Sequence, residues 1–224
     1  MSIIKQKEKG LLVVVSGPSG AGKDTIVNEL MKKKETKAWV SISMTSREPR
    51  GSEENGKDYF FVTKEEFEEN IKKGNFLEYA TYNDNYYGTP KHKIDEYLNK
   101  GIDVILIIEI QGALQIKDLI PEALFIFIMP PSMEELKKRL VNRGTDKPEK
   151  IINRFKRAYE EINEVTKYNY VVVNDKVKKA TDKVAAILKA EKCRVDRIEE
   201  VCLNNAEELL HEGLIDNKEF NNSK

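Results

Sequence analysis

GPSGAGKDTI, residues 17–26, is the stretch that decides the fold. It follows the apolar run Leu11–Val15, and it sets Gly17 and Gly22 five apart with Lys23 directly after. That is the spacing G-x-x-x-x-G-K of a phosphate-binding loop between a buried strand and a helix. Backbone N–H groups of such a loop converge on one point, and the helix N-terminus adds its positive end. Lys23 reaches the outer phosphate oxygens. The predicted nucleotide segment is therefore Gly17, Pro18, Ser19, Gly20, Ala21, Gly22, Lys23, Asp24 and Thr25. Position 24 departs from the motif, because a carboxylate stands where a Ser or Thr hydroxyl would bind Mg²⁺. Either Thr25 takes over that duty or a water bridges Asp24 to the metal. A carboxylate in the first helical turn also complements the helix dipole, by about 0.3–1 kcal/mol.

Outward from the loop, strands and helices alternate. Leu11–Val15, Val104–Ile108, Leu124–Ile128 and Val171–Val173 are apolar throughout, as strands buried on both faces are. Amphipathic helical segments cover about 23–34, 64–73, 90–99, 132–142, 149–166 and 176–211. The pattern predicts an α/β fold, a P-loop parallel sheet flanked by helices. Thr63 to Glu66 and Ser132 to Glu135 have the spacing of capping boxes. Thr89 followed by Pro90 reads as an N-cap with proline at the first helical position. Residues 41–90 differ, with short strand-like pieces (SISMTS, DYFFV, FLEYATY, NYYG), and predict a small inserted β-lobe. The core is then 1–40 and 91–192. Residues 142–150 (NRGTDKPEK) are polar, with Gly144 and Pro148, and read as a mobile lid between two helices. Residues 193–224 read as a helical extension. Its apolar stripe (Ile198, Val201, Cys202, Ala206, Leu209, Leu210) ends near Gly213 and would dock on its own domain or on a second subunit.

The chain has 224 residues, with 38 Lys plus Arg balanced by 38 Asp plus Glu, so any anion site must be local. The balance argues against nucleic acid as a partner. The apolar runs are too short to span a bilayer. Cys193 and Cys202 fit no zinc or redox spacing, and free thiols suit the cytoplasm.

The motif after the loop decides the class. SISMTSREPRGSEENGKDYFF, residues 41–61, sets Arg47 and Arg50 three apart with Tyr59 beyond. It resembles guanylate kinases, in which the equivalent stretch binds the phosphate of GMP. FLEYA (76–80), NYYGTP (85–90), IQGA (110–113), MPPSMEELKKRLVNRGT (129–145), INRF (152–155) and VVND (172–175) follow in the family's order. The resemblance spans roughly residues 10–190 and implies transfer of a phosphoryl group from ATP to GMP with Mg²⁺. It implies ATP on Gly17–Thr25, and GMP on Ser43, Arg47, Arg50, Tyr59, Glu78, Tyr87 and Thr89. It implies catalytic roles for Lys23, Arg47, Arg139, Arg143 and Arg154, and a place near the adenine for Asn174 and Asp175.

Chemistry agrees with these assignments. Arginine forks bind a terminal phosphate bidentately, and a carboxylate such as Glu78 is the natural reader of guanine's N1–H and N2–H₂ donors. Asp24, Thr25 and Glu109 are the candidate metal groups, directly or through water. One departure stands out: Ile107 replaces an acid that the family usually carries two residues before the acid at position 109. No general base is needed, because the acceptor phosphate is already anionic, so His92 and His211 are surface residues.

Blander roles compete for several residues. Tyr59 and Tyr87 could pack the lobe, Arg139 could pair with Glu134 or Glu135, and Glu109 could be a solvated strand-end acid. A monophosphate kinase with another base preference is the nearest alternative, and a peptide-binding module of the same fold is another. Monomer and homodimer both stay open.

Overall fold

The computed structural model describes residues 4–6, 9–82, 84–142 and 148–201. The chain divides into two compact units, residues 9–189 and the chain ends, 1–8 with 190–224. The described strands are β1 (Ile4–Gln6), β2 (Leu12–Ser16), β3 (Ala38–Val40), β4 (Met44–Thr45), β5 (Phe60–Phe61), β6 (Phe76–Tyr82), β7 (Asn85–Pro90), β8 (Asp103–Ile107), β9 (Leu124–Met129), β10 (Tyr170–Val173) and β11 (Ile198–Val201). The helices are α1 (Lys23–Met31), α2 (Lys64–Lys72), α3 (Ile94–Asn99), α4 (Ile110–Leu119), α5 (Met133–Asn142), α6 (Pro148–Ile162) and α7 (Val177–Glu191).

The larger unit is built on a five-stranded parallel sheet in the order β10-β9-β2-β8-β3. Strand alternation splits its side chains between two layers. Val13 and Val15 of β2 pack with Ile26 and Leu30 of α1 and Ala180 and Val184 of α7. Leu12 and Val14 pack with Ile94 and Leu98 of α3 and Ala113 and Ile116 of α4. The α/β expectation therefore holds, with helices on both faces. The last strand is less buried than its sequence suggests. β10 pairs only with β9, at the sheet edge, and Val171 and Val173 are 53% and 38% exposed.

A second sheet, β5-β4-β7-β6, lies within residues 44–90. Phe67 of α2 is fully buried against it, stacked on Phe76 at 4.4 Å and Tyr86 at 5.1 Å between ring centroids. The predicted capping box starts α2: Thr63 accepts from the Glu66 N–H, and the Glu66 carboxylate accepts from the Thr63 N–H. At α5, Ser132 caps the Glu135 N–H at 3.1 Å, but the Glu135 carboxylate turns to Arg139 instead of closing the box.

Three local readings are corrected. Thr89 and Pro90 end a strand rather than start a helix, and α3 begins at Ile94. The Thr89 hydroxyl donates to Glu78 Oε1 across the β6–β7 pair at 2.5 Å, so it is not free to cap. The extension is not α-helical where it is described; it holds only a short 3₁₀ turn at Val195–Arg197. α7 stops at Glu191, and Ile198–Val201 forms β11, antiparallel to β1 at the other end of the chain. Periodicity within the tail cannot register a partner so distant in sequence. The rest of the predicted stripe, from Cys202 on, and the lid positions 143–147 lie outside the described residues. Finally, β3 and α4 were not expected; α4 carries Gly112 in its first turn, and its opening IQGA was read only as a motif.

Candidate active site

The phosphate loop runs from the end of β2 into α1, and Gly22 is the helix N-cap at φ 92°. A Cβ at that position would sit 2.4 Å from Asn174 Nδ2. The same Asn174 amide donates to the Ala21 carbonyl at 2.8 Å and so clamps the loop from the end of β10. Lys23 is 8% exposed and folds back over the loop, with Nζ 2.7 Å from the Gly17 carbonyl and 3.5 Å from that of Pro18.

One cleft joins this loop to the second sheet. Its walls include Ser19, Gly20, Lys23 and Asp24 on one side, and Ser43, Arg47, Arg50, Tyr59, Glu78 and Tyr87 on the other. Thr89 lies beneath it, fully buried, bound to Glu78. Arg47 is 7% exposed and holds Glu53 in a fork, Nη1–Oε2 2.8 Å and Nη2–Oε1 3.1 Å. Its guanidinium lies 5.2 Å from the Tyr59 ring centroid and 5.6 Å from that of Phe61. The Arg47 Nε is buried with no hydrogen-bond partner among the described residues. Burial works to lower the Arg47 guanidinium, but Glu53 and Tyr87 together outweigh it, so Arg47 stays above its ordinary value. Glu53 also accepts from the Arg50 N–H at 2.8 Å. A carboxylate thus occupies both arms of the Arg47 fork. Nothing in the sequence singled out Glu53; its spacing of three from Arg50 is the only signal it offered.

Glu78, on β6, is 5% exposed. Burial pushes its carboxyl up to about 7, against hydrogen bonds from Thr89 that act to lower it. α4 approaches it so closely that a Cβ at Gly112 would lie 2.3 Å from Glu78 Oε2. The glycine of the IQGA motif is there to let this carboxylate in. Tyr59 is pushed up to about 12 by burial, with the Asp24 charge adding to it, so its hydroxyl stays a neutral donor.

The predicted metal groups divide. Asp24 and Glu109 line the same cleft, and Glu109 Oε2 is buried with no hydrogen-bond partner among the described residues. Thr25 lines a second cavity, with Arg139, Asn174 and Asp175. Among the described residues no group of three or more His, Cys, Asp or Glu could hold a metal on its own. Two carboxylates suit a cation that arrives already held by nucleotide phosphates, as Mg²⁺ does.

The arginines divide as well. Arg154 of α6 donates through Nε and Nη2 to Ser19 Oγ, with Nε at 3.2 Å, and lines the cleft. Arg139 belongs to the second cavity, bound to Glu135 Oε1 and to the Asn174 carbonyl, each at 3.0 Å. Arg143 lies outside the described residues. Sequence reasoning missed Arg157, which lines the cleft beside Arg154, and its partner Glu161. Burial and the nearby Glu109 charge raise the Glu161 carboxyl, against Arg157 and Lys23.

Residues 9–191 match the guanylate kinase family. The chain belongs to it. A guanylate kinase of Clostridium tetani is 57% identical over 209 residues, covering 93% of this chain and all of that one. Another, from Caldanaerobacter subterraneus subsp. tengcongensis, is 55% identical and covers 90% of this chain and 98% of its own. The crystal structure of guanylate kinase from Anaplasma phagocytophilum superimposes with a TM-score of 0.74 at 32% identity, covering 95% of this chain and 98% of that one. The family expectation from residues 41–61 and the motifs after it is therefore met. Neither the binding-module reading nor a different base preference is favoured. Among the described residues no helix is long and apolar enough to cross a membrane.

Proposed function

We propose that this cleft transfers the γ-phosphoryl of Mg²⁺-bound ATP to GMP or dGMP, giving ADP and GDP. The observation that carries the reading is the single cleft with a phosphate loop at one end and a buried arginine fork with a buried carboxylate at the other. Two polyanions can lie end to end in it, out of bulk water, which is most of what phosphoryl transfer asks of a protein.

In this reading Gly17–Thr25 cradle the ATP phosphates and Lys23 swings from the loop carbonyls to the transferring group. Arg47 and Arg50 hold the GMP phosphate, with Tyr59 and Tyr87 donating hydroxyls to it. Glu78 accepts from the guanine N1–H and N2–H₂, helped by Ser43 and Thr89. Arg139 and Arg143 close from the lid side, with Asn174 and Asp175 beside the adenine. Arg154 reaches the phosphates over Ser19. When bound, Mg²⁺ offsets charge on the phosphate oxygens, and Asp24 and Glu109 are the residues that would hold it, through water. Both substrates belong to the cytoplasm, which is the compartment this function implies.

Glu78 gives the reading a pH signature. Only the ionised carboxylate accepts both guanine donors, and in the free protein its proton leaves near pH 7. The KM for GMP should therefore rise as pH falls below about 7, approaching tenfold per unit. The same raised value means that Glu78 contributes stability fully present below about pH 4.5 and lost as pH rises through about 7. Initial rates against GMP between pH 5.5 and 8.5 test this, with Glu78→Gln as the reference that removes titration of GMP itself. A KM that follows pH identically in both proteins would remove Glu78 from the base site.

A further inference from the structure

We propose that Arg157 is a further catalytic residue of this phosphoryl transfer and that Glu161 is its positioning residue. The proposal rests on the function given above. α6 presents three side chains toward the phosphate loop at helical spacing. Arg154 is tied to Ser19 of the loop. One turn on, Arg157 lines the same cleft as Lys23 and Glu109. One further turn on, Glu161 takes the Arg157 Nε on its Oε1 at 2.8 Å. Ala158 lies between them, fully buried against Leu136 and Leu140 of α5, which fixes the face that α6 turns inward.

Glu161 is poorly explained as a stabilising residue. It is 8% exposed, and its Oε2 is buried with no hydrogen-bond partner among the described residues. It also feels the Glu109 carboxylate. A helical ion pair one turn apart does little to offset a half-satisfied buried carboxylate. What the pair does achieve is geometric. A carboxylate on Nε fixes the plane of the guanidinium, so the remaining N–H groups have one orientation with respect to the cleft. A chain with no net charge concentrates five cationic side chains in this cleft, Arg157 among them. Such a field suits a group whose negative charge shifts during transfer, and fixed donors act on that charge without reorganising.

The test is a two-residue cycle in the full chain, reading initial rates with ATP and GMP together with the thermal midpoint. Arg157→Ala should lower kcat 10- to 100-fold and move the KM for GMP less than threefold. Glu161→Gln should lower kcat about tenfold while leaving the midpoint equal or higher, because a half-satisfied buried charge has gone. The double variant should be no slower than Arg157→Ala alone, since Glu161 acts only through Arg157. Arg157→Lys keeps the charge without the fork; it should retain part of the rate and become indifferent to Glu161→Gln. It serves too where Arg157→Ala does not fold. Effects that multiply, or a Glu161→Gln protein with a lower midpoint and an unchanged kcat, would overturn the proposal. An unmodified chain inactive toward GMP would instead overturn the function on which it rests.

Discussion

Lys23→Ala should lower kcat by about 10²-fold or more, equivalent to about 2.7 kcal/mol of transition-state stabilisation. The side chain is already gathered into the loop: its Nζ bonds to the Gly17 and Pro18 carbonyls, and it is 8% exposed. Little ordering remains when a phosphate displaces those carbonyls. A charge fixed before the reaction acts most strongly where negative charge moves, so the loss should fall on kcat more than on the KM for GMP. The check is a pair of saturation curves, one in ATP and one in GMP. A variant with unchanged kcat and only a weaker ATP dependence would show that Lys23 merely holds the donor.

Arg47→Ala should differ in kind. The fork to Glu53 and the ring contacts to Tyr59 and Phe61 hold the guanidinium ready for an oxyanion. Hydrogen bonds to charged groups are worth roughly 1.5–3 kcal/mol each, so the KM for GMP should rise about 10- to 100-fold. Misplacing the acceptor should lower kcat as well. The substitution also takes from Glu53 its main partner; burial would raise that carboxyl, but Arg47 and, after it, Arg50 hold it below its usual range. Without Arg47 that carboxyl should titrate higher, so at neutral pH the variant should keep less of the stability that the depressed carboxylate gives the parent, a difference that fades as pH falls and Glu53 is protonated in both. Should GMP saturation be untouched, the acceptor phosphate lies elsewhere.

The parts of this fold that could be read from sequence are those whose burial is simple. Leu12–Val15 of β2, Val104–Ile107 of β8 and all of β9 are apolar because helices cover both faces, and the loop after β2 has a spacing that few other structures need. β10 carries the same apolar signature, yet its edge position leaves Val171 and Val173 partly in water. β3 is short and half-buried, so Ala38–Val40 carried no pattern. The helical reading of the tail failed at Ile198–Val201 because a strand partner from the other end of the chain outweighed local periodicity.

In the site, residue types with one evident chemistry were legible. Arg47, Arg50 and Glu78 were singled out through the resemblance of residues 41–61 and 76–80 to guanylate kinases, and a guanidinium fork for a phosphate and a carboxylate for guanine's donors agree with it. Glu53 and Glu161 were not, because an acid in a charged segment looks solvated until tertiary packing buries it. Of the adjacent Glu160 and Glu161, only the second turns inward, and the sequence treats them alike. The division of Asp24 and Thr25 between two cavities is likewise a property of the helix start, where neighbouring residues point about 100° apart.

ADP release with Mg²⁺-ATP and GMP, run beside AMP, UMP and dTMP at equal concentration, tests the central claim most directly. The arrangement of Glu78, Thr89 and Arg47 predicts rapid ADP release with GMP, matched mole for mole by GDP. The other three should be at least about 10²-fold slower, since a buried carboxylate left without its donors is penalised. Equal rates with AMP would contradict the role of Glu78, and no phosphoryl transfer to any of the four would contradict the function itself.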